Sequence, residues 1–217
     1  MPFRNLSELP LFQGMSINHL HEASMQVNIS TVTVPEHKTV LHSGDPADML
    51  LFLAQGSVIS TCFSDDDGYA VSEAMIAPEV LQPECIFGMT QHFTRSYVTR
   101  TPCTFIRISK PHILKLAGNY EIFRINLLNI TCTRAQRLGR APWLTQPTDI
   151  KAKIAQFAQE HCVCPTGEKT LHIKMQRLAD EIGESRLNVS KTLGLLQQEG
   201  LIGLKREVIH IPALENL

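Results

Sequence analysis

Ser185, Arg186, Asn188 and Lys191 fall within one short stretch of MQRLADEIGESRLNVSKTLGLL (175–196). A hydroxyl, a guanidinium, a carboxamide and an ammonium are the groups that meet phosphate oxygens and base edges in a nucleic-acid groove. Such groups work only if a rigid element presents them together. The small and apolar residues of the stretch supply one: Ala179 sits where two helices must cross, Gly183 offers the left-handed turn between them, and Val189 and Leu193 return to the core four residues apart. This spacing reads as a helix-turn-helix, with an ordinary αα-hairpin as the alternative. Gly200 then ends the second helix, and LIGLKREVIHI (201–211) alternates around a charged centre as a two-stranded hairpin does. The sum is a winged helix, and Lys174, Arg177, Arg186, Lys191, Lys205 and Arg206 cluster around it.

Composition neither forbids nor suggests this reading. The chain has 217 residues, 43% hydrophobic residues and a net charge of −1, and residues 148–217 hold nine Lys or Arg against nine Asp or Glu. Global neutrality is compatible with a local basic face. No apolar run approaches the ~20 residues of a membrane span, and MPFRNLSELP lacks an export signal, so a cytoplasmic protein with no membrane partner is expected. Six scattered cysteines in such a chain are expected as thiols, most of them small buried hydrophobes.

The N-terminal half has another period. From Ser30 to Ser109, short apolar or alternating segments are divided by turns at Gly44–Pro46, Gln55–Gly56 and Asp65–Gly68, which predicts an antiparallel β-barrel or sandwich. Near Pro111 the period becomes helical. Tyr120, Phe123, Leu127 and Ile130 form one apolar stripe, and Ile125, Leu128, Cys132 and Ala135 a second. A helix with two apolar faces needs two surfaces, so the first stripe is assigned to a homodimer seam, with burial inside one chain as the alternative. Arg134, Arg137 and Arg140 suit the C-terminal end of that helix, and APWLTQP (141–147) breaks it as a hinge. Thr148 and Asp149 restart a helix carrying Ile150, Ile154, Phe157 and Ala158, and HCVCPTGEKT (161–170) is expected as a loop. The fold class is therefore α+β in three parts: a β-barrel sensor over 1–117, a dimerisation helix and hinge over 118–147, and a winged helix-turn-helix over 148–217.

A β-barrel, a long helix and a C-terminal winged helix in this order resemble the bacterial catabolite activator (cyclic AMP receptor) and anaerobic (fumarate-nitrate) regulator superfamily. VPEHKTVLHSGDPADMLLFLAQGSV looks like its cyclic-nucleotide-binding-like jelly-roll signature, and IGESRLNVSKTL like its recognition segment. The resemblance implies a homodimeric transcription regulator that inserts paired helices into successive major grooves of a pseudo-palindromic duplex and works with RNA polymerase. It implies that Arg186 reads a guanine, that Ser185 and Asn188 make backbone or base contacts, that Lys191 meets a base or phosphate, and that Gln176 meets a phosphate. Leu187 stands where the catabolite activator has an acid, which shifts preference toward a thymine methyl. Lys174 replaces a hydroxyl cap; a cation at the positive end of a helix dipole makes sense facing a phosphate.

The resemblance also implies an effector site, and there the sequence departs from it. Cyclic-nucleotide binders carry a Gly-Glu pair whose acid accepts the ribose hydroxyl, and an Arg-Ser or Arg-Thr pair that holds the phosphate. Here Gly88 is followed by Met89, and Arg95 with Ser96 arrives after only six intervening residues. The expectation is an effector of unknown identity near Gly88, Met89, Arg95 and Ser96, not standard cyclic AMP binding; a carboxylate partner for Arg95 is the alternative. Haem held by His19, His21, His92 or His112, or redox sensing, stays open, as does a cyclic-nucleotide-sensing subunit without DNA binding. No metal site is assigned: His161, Cys162 and Cys164 are too tightly spaced for structural zinc. Nor is an enzyme expected, since His37 and His42 lack the spacing of a cupin site and no GxSxG, HExxH or phosphate-binding loop occurs.

Overall fold

The computed structural model describes residues 6–140, 143, 145 and 147–217. The N-terminal five residues and Ala141, Pro142, Leu144 and Gln146 of the 141–147 segment expected as a hinge lie outside the described residues. The chain forms two compact units, one of Met1–Val58 with Met75–Pro142 and the other of Ile59–Ala74 with Trp143–Leu217.

In the first unit, α1 (Ile17–Gln26) begins at the Ser16 cap and leads into β1 (Ile29–Val34), β2 (Thr39–Leu41) and β3 (Met49–Gln55). β4 (Ser57–Phe63) leaves this unit after Val58 and β5 (Tyr69–Ile76) re-enters it at Met75, and then come β6 (Glu79–Leu81), a 3-10 turn (Pro83–Ile86), β7 (Ser96–Thr99) and β8 (Cys103–Ser109). β1, β8, β3 and β6 lie side by side in one antiparallel sheet, and β2 pairs with β7. Successive side chains of a strand face opposite sides, so the unbroken apolar run of β3 requires both of its faces to be covered. They are: Leu50 and Phe52 join one core with Phe12 and Phe123, and Leu51 and Leu53 join another with Tyr97 and Phe105. Gly56 makes the tight turn after β3; with φ +93° and Pro102 O only 2.6 Å from where a Cβ would stand, no other residue fits there.

Two helices close this unit, α2 (Lys110–Asn119) and α3 (Glu121–Arg140), with the chain breaking at Tyr120. Here the structure corrects the dimer assignment. Tyr120, Phe123 and Leu127 are buried in the unit's own core and Ile130 packs against it, with the Phe123 ring 5.1 Å from Phe12. The cause is the segment 6–27, whose Leu6, Leu9, Leu11, Phe12 and Leu20 give the aromatic stripe an intrachain surface that local periodicity does not reveal. Apolar side chains of these two helices left outside include Leu114, Ile122, Ile125, Leu128 and Leu138.

The second unit holds α4 (Ile150–Glu160), β9 (Lys169–Ile173), α5 (Met175–Glu181), α6 (Arg186–Gln198), β10 (Gly203–Lys205), β11 (Val208–Ile211) and a final 3-10 turn (Leu214–Asn216). Asp149, rather than Thr148, caps α4 by accepting from Ala152 N. Ile154, Phe157 and Ala158 join Ala179, Val189, Leu193 and Leu196 in one core. The strand order is β10–β11–β9–β5–β4, so the expected loop at 161–170 ends inside a strand that pairs with β5, Glu73 opposite Lys169.

Candidate nucleic-acid interface

α5 and α6 are held by local chemistry that begins with their ends. Gly183, at φ +67°, lets Gly183 N–H donate to Asp180 O and Glu184 N–H to Ala179 O, which satisfies the last carbonyls of α5. α6 ends the same way, with Gly200 N–H on Gln197 O and Leu201 N–H on Leu196 O. Ser185 caps the start of α6 by accepting from Asn188 N–H at 3.2 Å. Lys153 Nζ and Glu184 Oε1, 2.6 Å apart, tie α4 to the turn. Ala179 and Val189 are fully buried at the crossing.

The other face of this pair is open. Lys174, Gln176, Ser185, Arg186, Leu187, Asn188 and Lys191 are all exposed, Leu187 to 64%. Among the described residues, the side chains of Lys174, Arg186 and Lys191 make no hydrogen bond or ion pair, and Gln176 donates to Asp180 on its own helix at 2.8 Å. Lys174 stands at the N-cap of α5 with no side-chain cap bond. After α6, β10 and β11 form a hairpin with Lys205, Arg206 and Glu207 exposed at its tip. Cationic donors with no internal partner, at the dipole-positive start of a helix, suit a polyanion. The Ser185 hydroxyl accepts the cap bond and keeps its own O–H to donate.

The expected effector residues have a different character. No helix follows Gly88, and residues 91–93 instead run beside the Gly44 turn, with Gly44 N–H on Phe93 O, Phe93 N–H on Asp45 O and Ala47 N–H on Gln91 O. Met89 points entirely to solvent and offers no ribose acceptor. Arg95 is half-buried, its N–H and that of Thr94 both donating to Oε1 of the buried Gln82, while Ser96 Oγ accepts from Ser43 N–H at 3.0 Å. Of these four residues, Met89 is in solvent while the Arg95 backbone and the Ser96 hydroxyl are bonded to Gln82 and Ser43. Gln82, which organises the segment from a left-handed backbone position, was not singled out by sequence. Of the histidines considered for haem, His19, His21 and His92 are exposed, and the half-buried His112 bonds through Nδ1 to the Ser109 hydroxyl at 3.1 Å. Among the described residues, no three His, Cys, Asp or Glu side chains gather as a metal site, and no helix is long and apolar enough to cross a membrane. Cys85, Cys103 and Cys162 are buried, Cys62 and Cys164 half-buried and Cys132 exposed; burial pushes the Cys85 thiol up.

Sequence reading finds the Asp65–Gly68 turn of the β4–β5 hairpin but not its place in the second unit, paired with β9. Glu73 and Lys169, both fully buried, lie 3.4 Å apart at Oε2 and Nζ. Glu73 also accepts from Val163 and Cys164 N–H, and Lys169 donates to Thr166 O, so this pair pins the 161–168 loop. Tyr69 OH lies 3.0 Å from His161 Nε2, whose Nδ1 is on Phe157 O. Burial, with the Glu181 carboxylate next in effect, raises the Tyr69 hydroxyl above its usual range. At the hairpin tip, Asp66 accepts from the Ser64 hydroxyl and Gly68 N–H, which together with Arg177 hold its carboxyl below the ordinary value. Arg177 Nη1 is 3.1 Å from Asp66 Oδ2, its Nε 2.9 Å from Glu181, and its guanidinium lies over the Tyr69 ring.

No family model and no curated protein matches the chain. Solved structures do. The sensor domain of the transcriptional regulator DNR from Pseudomonas aeruginosa aligns over 60% of this chain and 91% of its own, at 18% identity and a TM-score of 0.50. The Catabolite Activator Protein of Thermus thermophilus aligns over 93% of each chain at 17% identity and 0.49. FixK2 of Bradyrhizobium japonicum aligns over 88% of this chain and 98% of its own, at 16% and 0.49. At these identities the likeness is one of fold, and the DNR alignment carries it.

Proposed function

We propose that the chain is a DNA-binding transcription regulator of the catabolite activator and anaerobic regulator superfamily, with a winged helix-turn-helix over 148–217 as its output. The observation that carries this reading is the unpaired, exposed set Arg186, Asn188 and Lys191 at the capped start of α6, beside a hairpin tip bearing Lys205 and Arg206. Arg186 has the planar fork that donates two bonds to guanine O6 and N7. Leu187 favours a thymine methyl, Asn188 a base edge, and Lys174, Gln176 and Lys191 the phosphates.

Two copies are needed for a two-fold symmetric operator. The seam is the face of α3 that carries Ile122, Ile125 and Leu128, with Cys132 further along it. The barrel over 1–117 is the sensor, and its effector is a small molecule other than standard cyclic AMP, because Met89 replaces the ribose acceptor and residues 91–93 occupy their own hydrogen bonds. RNA polymerase is the implied downstream partner.

Titration of a random-sequence duplex by fluorescence anisotropy over a salt series tests the core of this reading. The logarithm of the binding constant should fall linearly with the logarithm of salt, with a slope set by the phosphates engaged. A salt-independent signal, or no binding at low salt, would contradict it.

A further inference from the structure

Residues 59–74 belong by sequence to the strand-rich N-terminal half, yet they fold as part of the unit that carries α5 and α6. β5 pairs with β9 from Tyr69 opposite Ile173 to Glu73 opposite Lys169, and β9 in turn pairs with β11 of the exposed hairpin. Beside the β5–β9 ladder and the buried Val71, three polar fastenings hold this added strand: the buried Glu73–Lys169 pair, the Tyr69–His161 bond, and the Asp66–Arg177 ion pair. The last of these sets three consecutive acids, Asp65, Asp66 and Asp67, all exposed, beside α5. Arg177 is the neighbour of Gln176 and three residues from Lys174. An acidic tip there neutralises one cation of the face and repels phosphates approaching the others.

The geometry points to the β4–β5 hairpin as an autoinhibitory strap, which weakens DNA binding while it is docked along β9 and strengthens it on release. This inference rests on the DNA-reading proposal above. The fastening is of a kind suited to reversal. A buried ion pair gains little net stability, because attraction is set against the lost hydration of both charges, and release returns both groups to water. The apolar part of the contact is small, Val71 opposite Leu171 and Tyr69 against Phe157, so release exposes little apolar surface beyond them. The strap is also continuous with the first unit, since β4 and β5 each run across Val58–Ile59 and Ala74–Met75, so a change in the barrel strands reaches it through the backbone.

The test uses the full chain in two forms. In Ser72→Cys/Thr170→Cys the new thiols face each other in the β5–β9 register, so oxidation locks the strap and reduction frees it with no change of charge. In Asp66→Asn/Tyr69→Phe two fastenings are removed while Glu73 and Lys169 remain. The readouts are affinity for a random-sequence duplex and amide hydrogen exchange of residues 69–73 and 169–173. The oxidised lock should bind about tenfold more weakly than its reduced form, and the Asp66→Asn/Tyr69→Phe protein about threefold to tenfold more tightly than wild type with faster exchange in both strands. Equal affinity of the locked and reduced forms would overturn the strap, as would faster exchange without tighter binding. A cysteine pair that does not close would contradict the docking itself. If no form binds duplex at low salt, the DNA-reading proposal fails and takes the strap with it; duplex binding indifferent to the lock defeats the strap alone.

Discussion

The start of α6 and the Gln82–Ser96 segment are both rich in hydrogen-bonding groups, and they use them in opposite ways. At α6 the backbone is satisfied by a local cap, which leaves Arg186 and Lys191 with no partner among the described residues. In the other segment the side-chain amide of Gln82 and the backbone of the Gly44 turn absorb the polar groups of residues 91–95. A surface that reads a macromolecule keeps its donors available. A segment that closes a domain directs them inward.

That contrast can be broken by substitutions whose effects separate stability from binding. The largest effect is expected where apolar burial is complete: Leu127→Glu should abolish cooperative thermal unfolding of the first unit, because a carboxylate would enter the core around Phe12 and Phe123. Leu128→Glu, one residue on, should leave melting nearly unchanged and shift sedimentation from dimer to monomer. An intact dimer in Leu128→Glu would refute the seam. Next, Gln82→Ala should cost about 1 to 3 kcal/mol in denaturant unfolding, since it removes the bonds to the Thr94 and Arg95 amides and the Thr94 hydroxyl. Arg186→Ala should do the reverse, with stability within about 0.5 kcal/mol of wild type and a loss of about 1 to 3 kcal/mol of operator affinity. Ser185→Ala lies between them, costing about 1 kcal/mol of stability through its lost cap. The smallest change is that of Lys174→Ala, which should weaken all duplexes alike and lower the salt slope by about one. A sequence-dependent loss would move Lys174 from phosphate to base.

The parts legible in the sequence are those whose causes are local. Ala179, Gly183, Val189 and Leu193 specify two crossed helices within twenty residues, and Gly44, Gly56 and Asp65–Gly68 mark turns wherever they stand. What escaped has distant causes. β9 is a strand because β5, about a hundred residues earlier, pairs with it, and no period within KTLHI announces that. Glu73 and Lys169 are charged residues at inward positions, each explicable only by the other. The two stripes of α3 were visible, but which one faces the core is decided by Phe12 and Leu20, from a segment whose apolar residues carry no strong period of their own.

Whether α6 reads DNA sequence through Arg186 is decided by selecting bound duplexes from a random pool with wild-type protein and Arg186→Ala side by side. Wild type should enrich a two-fold symmetric motif with half-sites ~34 Å apart, and the variant the same motif relaxed at one base position in each half-site. An unenriched pool, or identical motifs from both proteins, would contradict that role of Arg186.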